Sequence, residues 1–179
     1  MRPPPALSRF RVPAAWALFA LVAVLARPST ATALIALPLA LAGEALRLWA
    51  AGHIEKGREL ATGGPYAHTR NPLYLGSALM AAGLAVATRS AAAAVLIAAY
   101  LAVFYPLAVS SEAALLRARF GEAYDRWASE VPAFLPRLTP AGARASRFEW
   151  RRVLANREWR AAAALPAVAA LLAARRWMG

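Results

Sequence analysis

Between Arg89 and Glu112 the chain carries no charged side chain. Residues 91–111 match the length of about 20 apolar residues that a helix needs to cross a bilayer. A run like this can sit in a membrane or at the centre of a large core. A chain of 179 residues, roughly one domain, has little room for such a core. The composition agrees: 60% of residues are hydrophobic and 17% charged, against about 45–50% and 25% in globular chains.

Other apolar runs fall into register around it. Residues 12–26 predict a short or tilted first span, whose flanking arginines can snorkel. Its basic start also has the shape of a signal peptide, but a second apolar run follows at once and favours an uncleaved anchor. That run is uncharged over 28–43 and continues apolar to 51. Glu44 and Arg47 lie one helical turn apart in it, either as an ion pair hidden from lipid or as the lining of a polar cavity. Residues 72–88 predict a third span, with small residues that permit close helix approach. The three-residue turn at 88–90 is long enough only for a hairpin. Pro106 is expected to kink the fourth span, 91–111. Leu116, Phe120, Tyr124 and Trp127 then recur at helical spacing, predicting an amphipathic helix over 112–127. A basic segment follows, with a short helix predicted over 148–160. The apolar stretch 161–174 is short and contains Pro166, which favours a re-entrant or interfacial helix. The expected fold is therefore all-α: a polytopic membrane bundle of about four spans, a cytoplasmic amphipathic helix, and a short C-terminal re-entrant or spanning helix.

Charge sets the expected partners and orientation. The net charge is +12, nearly all from arginine. With so apolar a chain, anionic lipid headgroups are the expected partners, and no nucleic-acid module pattern is present. Basic residues cluster at Arg2, Arg9 and Arg11, in the 52–71 loop and over 112–160, whereas only Arg27 and Arg89 mark the opposite turns. The positive-inside rule then puts the N-terminus and both basic regions in the cytoplasm. The chain has no cysteine, which removes thiolate chemistry. His53 and His68 lack the spacing of a helical metal pair, so no metal site is expected.

The polar interruption at 63–76 reads GGPYAHTRNPLYLG. Its glycines and Pro65 permit a tight turn. Pro72 suits the first position of a new helix, and it pushes Asn71 out of the α region. A helix N-terminus beside Arg70 can hold an anionic group. The same residues would equally suit a surface loop anchored at lipid headgroups.

This stretch resembles the GxYxxxRHPxYxG signature of the integral-membrane methyltransferases, the isoprenylcysteine carboxyl and phospholipid methyltransferases with their bacterial relatives. Gly64, Tyr66, Arg70, Pro72, Tyr74 and Gly76 fall in register, and Asn71 stands where the family usually has His. A second resemblance follows in Glu112, Leu115, Phe120-Gly121, Tyr124 and the Val131-Pro132 to Pro136 turn. There Ser111 and Trp127 replace an acid and a Tyr, and Glu130 stands where prenylcysteine enzymes have Arg. The resemblance covers about 43–137 of a single domain spanning 1–179, with 138–179 as an extension.

The resemblance implies S-adenosylmethionine as cofactor and methyl transfer to a small or lipid-like acceptor: a thiol, a carboxylate or a lipid headgroup. Arg70 and the N–H groups near Tyr74, Leu75 and Gly76 would hold an anionic end of the cofactor. Glu112 would accept from the ribose or balance the ammonium. Leu115, Phe120 and Tyr124 would wall the adenine, with Tyr66, Asn71 and Pro72 completing the site. Arg70 and Glu112 are the expected catalytic residues. The substitutions at 71, 111 and 130 leave open an alternative, a catalytically inactive binding or assembly module of the same fold. A small transporter would need polar residues on several spans, and only Glu44 and Arg47 qualify.

Overall fold

The computed structural model describes residues 10–55, 58–141 and 147–178, the last three by backbone alone. Arg2, Arg9 and part of the basic segment at 142–146 lie outside the described residues. Seven α-helices and a short 3-10 turn form the described fold, with no strand among them. The helices are α1 (Arg11–Leu25), α2 (Thr30–Ala51), α3 (Pro72–Thr88), α4 (Ala91–Phe120), α5 (Glu122–Glu130), α6 (Trp150–Ala155) and α7 (Trp159–Met178).

α2 and α4 are long and apolar enough to cross a membrane, while α1 and α3 are shorter apolar helices. Only 17% of the apolar window of each long helix is buried. Leu34, Ile35 and Val95 point outward. Such exposed apolar flanks suit lipid, whereas a soluble protein would bury its most apolar helices.

Small residues set the tightest contact. At the crossing of α2 and α3, a Cβ on Gly43 would lie 2.5 Å from the Gly76 carbonyl, and one on Gly76 2.6 Å from the Gly43 carbonyl. Two turns further along α3, Gly83 repeats the pattern against the Ala36 carbonyl at 3.0 Å. Without side chains at these points the backbones come together and gain dispersion along their length. The α3–α4 hairpin turns at Arg89, whose φ of 51° lies in the left-handed region. Ser90 then caps α4 through the Ala93 N–H. Val22 of α1 packs with Ala93 and Ile97 of α4.

Four expected boundaries differ in the structure. α4 does not end at Ser111 but runs 30 residues to Phe120, continuous through Pro106. The predicted amphipathic helix 112–127 is therefore two pieces, the end of α4 and the nine residues of α5, divided at Gly121 with φ 51°. Ala113, Ala114 and Leu115 are strong helix formers, so the arrival of charge at Glu112 does not stop the helix. The predicted 148–160 helix is shorter, as α6 alone. The stretch expected at 161–174 belongs to the 20-residue α7.

Candidate active site

Gly64 opens the signature loop in the left-handed region, at φ 57°. It also has no side chain to spare, because a Cβ there would fall 2.6 Å from the His53 ring. The turn Gly64–Ala67 follows, and the Thr69 and His68 N–H groups both donate to the Pro65 carbonyl at 3.1 Å. Asn71 leaves the α region at φ −126°, and Pro72 takes the first position of α3.

The loop is tied to the segment after α5. The Arg70 N–H donates to the Pro132 carbonyl at 2.9 Å, and the Ala141 N–H to the Ala67 carbonyl at 2.9 Å. His68 and Arg137 pair twice, through the Arg137 N–H at 3.0 Å and through His68 Nδ1 at 2.8 Å. Asn71 Nδ2 donates to the Ala133 carbonyl at 2.8 Å, and Thr69 Oγ1 to that of Phe134 at 3.1 Å. Trp127 Nε1 reaches the Tyr66 carbonyl at 3.2 Å. Behind these bonds Tyr66, Tyr124, Trp127 and Val131 form one buried cluster. The two stretches, some sixty residues apart in sequence, thus share one framework.

On α3, Tyr74 packs edge-on against Tyr105 at 5.3 Å, with Glu112 and Arg11 close enough to act on its hydroxyl electrostatically. Tyr66 is almost wholly buried, and its hydroxyl has no hydrogen-bond partner among the described residues. Burial pushes that hydroxyl far above its ordinary pKa, and the nearby Glu112 and Glu158 carboxylates push further in the same direction against Arg47. Tyr66 therefore stays a neutral donor. Arg70 is half-buried, with its Nε also unpartnered.

A charged group lies beside it. Arg47 reaches Glu158 and Ser77 directly, and its Nε lies 3.9 Å from Glu44. Glu44 is 5% exposed, and neither of its oxygens accepts a hydrogen bond. Of the two sequence readings, the ion pair is present, and the pair also faces a second buried acid. Glu158 escaped sequence reasoning. Its one signal was being the only acid after Glu149, and its partner lies 111 residues away.

The remaining expected residues divide. Leu115 is 52% exposed, an open apolar face on α4. Phe120 is half-buried against the core cluster. Tyr124 is 2% exposed, packed edge-on to Trp127 and covered by the Arg117 guanidinium at 5.3 Å. Its ring belongs to the framework. Gly76 and Pro72 are buried at the root of α3, and Leu75 is half-buried. Glu112 is exposed.

The phospholipid methyltransferase family model matches residues 31–123, just over half of the chain. The chain belongs to the phospholipid methyltransferase family. The match runs from the start of α2 into α5, so it contains both the signature loop and Glu112. Two curated relatives align over 95 residues, 52% of this chain and 44% of each relative. One is the nickel-cobalt-cadmium resistance protein NccN of Alcaligenes xylosoxydans xylosoxydans, 41% identical. The other is the cobalt-zinc-cadmium resistance protein CzcN of Cupriavidus metallidurans, 38% identical. The aligned part thus spans less than half the length of these relatives. No solved structure matches.

Proposed function

We propose that this family member transfers a methyl group from S-adenosylmethionine to a small or lipid-like acceptor at the cytoplasmic face of a bacterial inner membrane. Family membership implies methyl transfer. The observation that carries the rest is the seam of hydrogen bonds that joins the two motifs, from Asn71 Nδ2 to the Ala133 carbonyl and from Trp127 Nε1 to the Tyr66 carbonyl. Beside it are buried polar atoms in want of partners, Tyr66 Oη and Arg70 Nε. Buried polar groups left unpaired are expensive, so a polar ligand bonding them is favoured.

These residues fit the cofactor. Bound there, S-adenosylmethionine would supply an electrophilic methyl on a sulfonium. Arg70 would hold its carboxylate, a charge-assisted contact stronger than a neutral one. Glu112 would accept from the ribose hydroxyls or balance the ammonium. Tyr66 would donate as a neutral hydroxyl. Leu115 and Phe120 would offer the apolar face for adenine, with Tyr124 supporting it from behind. Alignment and exclusion of water are the protein's main contributions to an in-line displacement. The outward apolar flanks of α2 and α4 would seat the site near the membrane surface, open to an acceptor carried in lipid.

The second reading, an inactive binding module, has one observation in its favour. Asn71, at the family's His position, is already bonded to the Ala133 carbonyl.

Purified protein titrated with labelled cofactor, and membranes incubated with a deuterated methyl donor, test these readings. Wild type should bind cofactor and yield a deuterated product by mass spectrometry. Arg70→Ala and Glu112→Ala should lose at least tenfold in binding or turnover while remaining in the membrane. Wild type that binds no cofactor leaves the module reading. Two variants that behave as wild type refute the site.

A further inference from the structure

Away from the signature loop, a cavity of about 430 Å³ opens between the C-terminal end of α2 and α6. Its lining is Ile54, Glu55, Ala155 and Asn156 with four arginines: Arg58, Arg151, Arg152 and Arg157. Its size falls in the range of small-molecule pockets.

The guanidiniums are not equally engaged. Arg152 is 15% exposed on its side chain and takes Glu149 at 3.0 Å, Glu59 at 3.5 Å and Glu55 at 3.8 Å. It also donates to the His53 carbonyl at 3.4 Å, so it is the structural member. Asn156 Nδ2 satisfies the Ala51 and Ile54 carbonyls at 3.1 and 3.0 Å, closing the end of α2. Arg58 and Arg151 meet Glu55 and Glu149 in open contacts that water can replace, at 2.6 and 3.2 Å. Exposed pairs of this kind are weak. Arg157 is exposed and makes no ion pair among the described residues. Three exchangeable guanidiniums thus rim a cavity whose only lining acid among the described residues is Glu55.

Arg157 holds its place against its own backbone. After α6 the Arg157 N–H bonds the Leu154 carbonyl and the Glu158 N–H that of Val153, the paired bonds of a Schellman ending. Its φ is 57°, where glycine is the usual residue. An arginine here keeps a guanidinium at the cavity edge despite that strain.

We propose that this cavity binds a phosphate group. Arginine forks match phosphate oxygens in pairs, and three of them outweigh the weak surface contacts they would exchange. The group could arrive on an anionic lipid, since the cavity adjoins the end of an apolar helix, or on a soluble phosphate. The proposal stands independently of methyl transfer.

Arg157→Gly is the informative variant, because glycine suits the backbone while the guanidinium is removed. The full chain would be purified in detergent with mixed lipid, and retained lipid read by native mass spectrometry. Wild type should retain phosphatidylglycerol over phosphatidylcholine at least tenfold. Arg157→Gly and Arg58→Gln/Arg151→Gln should lose most of that preference, with Arg157→Gly melting no lower than wild type. Arg126→Gln, an exposed arginine on α5, is the control and should retain it. If millimolar pyrophosphate displaces the lipid and itself protects wild type from unfolding, the ligand is soluble. If it does neither, the ligand is a headgroup. Preference undiminished in Arg157→Gly, or lost equally in Arg126→Gln, would overturn the proposal.

Discussion

The crossing of α2 with α3 and the seam between the signature loop and residues 132–141 are held by opposite means. At the crossing, the decisive feature is the absence of side chains at Gly43, Gly76 and Gly83, which lets carbonyls meet backbone. At the seam, Thr69, Asn71, His68 and Arg70 each commit a polar group to a distant strand of backbone. The contrast separates the roles inside one motif. Gly64, Thr69, Asn71, Pro72 and Gly76 build the framework. Tyr66 and Arg70 each keep a buried polar atom without a partner among the described residues.

The largest effect should come from breaking the crossing. Gly76→Val would drive a side chain into the Gly43 carbonyl and Arg47. Size-exclusion chromatography in detergent should show loss of the monodisperse species. A well-folded Gly76→Val would show that close approach is dispensable.

Next comes Arg47→Met, which strands Glu44 and Glu158 in a buried setting. Removing one partner of a buried ion group costs about 3–5 kcal/mol. Thermal unfolding should show a large drop, partly recovered by Arg47→Met/Glu158→Gln. No recovery would mean that the two side chains act separately.

At the seam the expected loss is smaller. Asn71→Ala removes the donor to Ala133, about 1–2 kcal/mol, readable as a lower unfolding midpoint. Asn71→His can donate to the same carbonyl and should stay close to wild type. Equal losses in both would mean that the bond needs the amide itself.

The smallest effect is a matter of pH. Folded Tyr66 keeps its proton above the ordinary value of 10. Above that value the unfolded chain has lost a proton that the folded one retains, so stability falls as pH rises. Between about pH 9 and 11 wild type should lose more stability than Tyr66→Phe. At neutral pH the two should lie within about 1 kcal/mol, since the hydroxyl removed has no partner. Parallel pH curves would place the Tyr66 hydroxyl in water.

The hairpins and the signature loop were legible because hydropathy, Pro72 and the glycines act locally. Helix ends were less so. Charge at Glu112 marks where the chain meets polar surroundings, but the backbone follows propensity and continues until Gly121 opens it. Likewise Trp159 and Arg175 join α7, although they fall outside its apolar stretch. The pairing of Arg47 with Glu158 could not be read, because two charges far apart in sequence meet only through the fold. Tyr124 carried a similar ambiguity. An aromatic at helical spacing can face a ligand or a core, and here Trp127 and Arg117 enclose it.

The bonds from Pro132, Ala133 and Arg137 to the loop have a consequence for biosynthesis. The family match ends at residue 123, before any of these partners has been made. A nascent chain halted there would carry the whole motif with Asn71 and His68 still unanchored. Assembly of the signature-loop framework therefore waits on the ribosome until the tail beyond α5 has emerged and folded back.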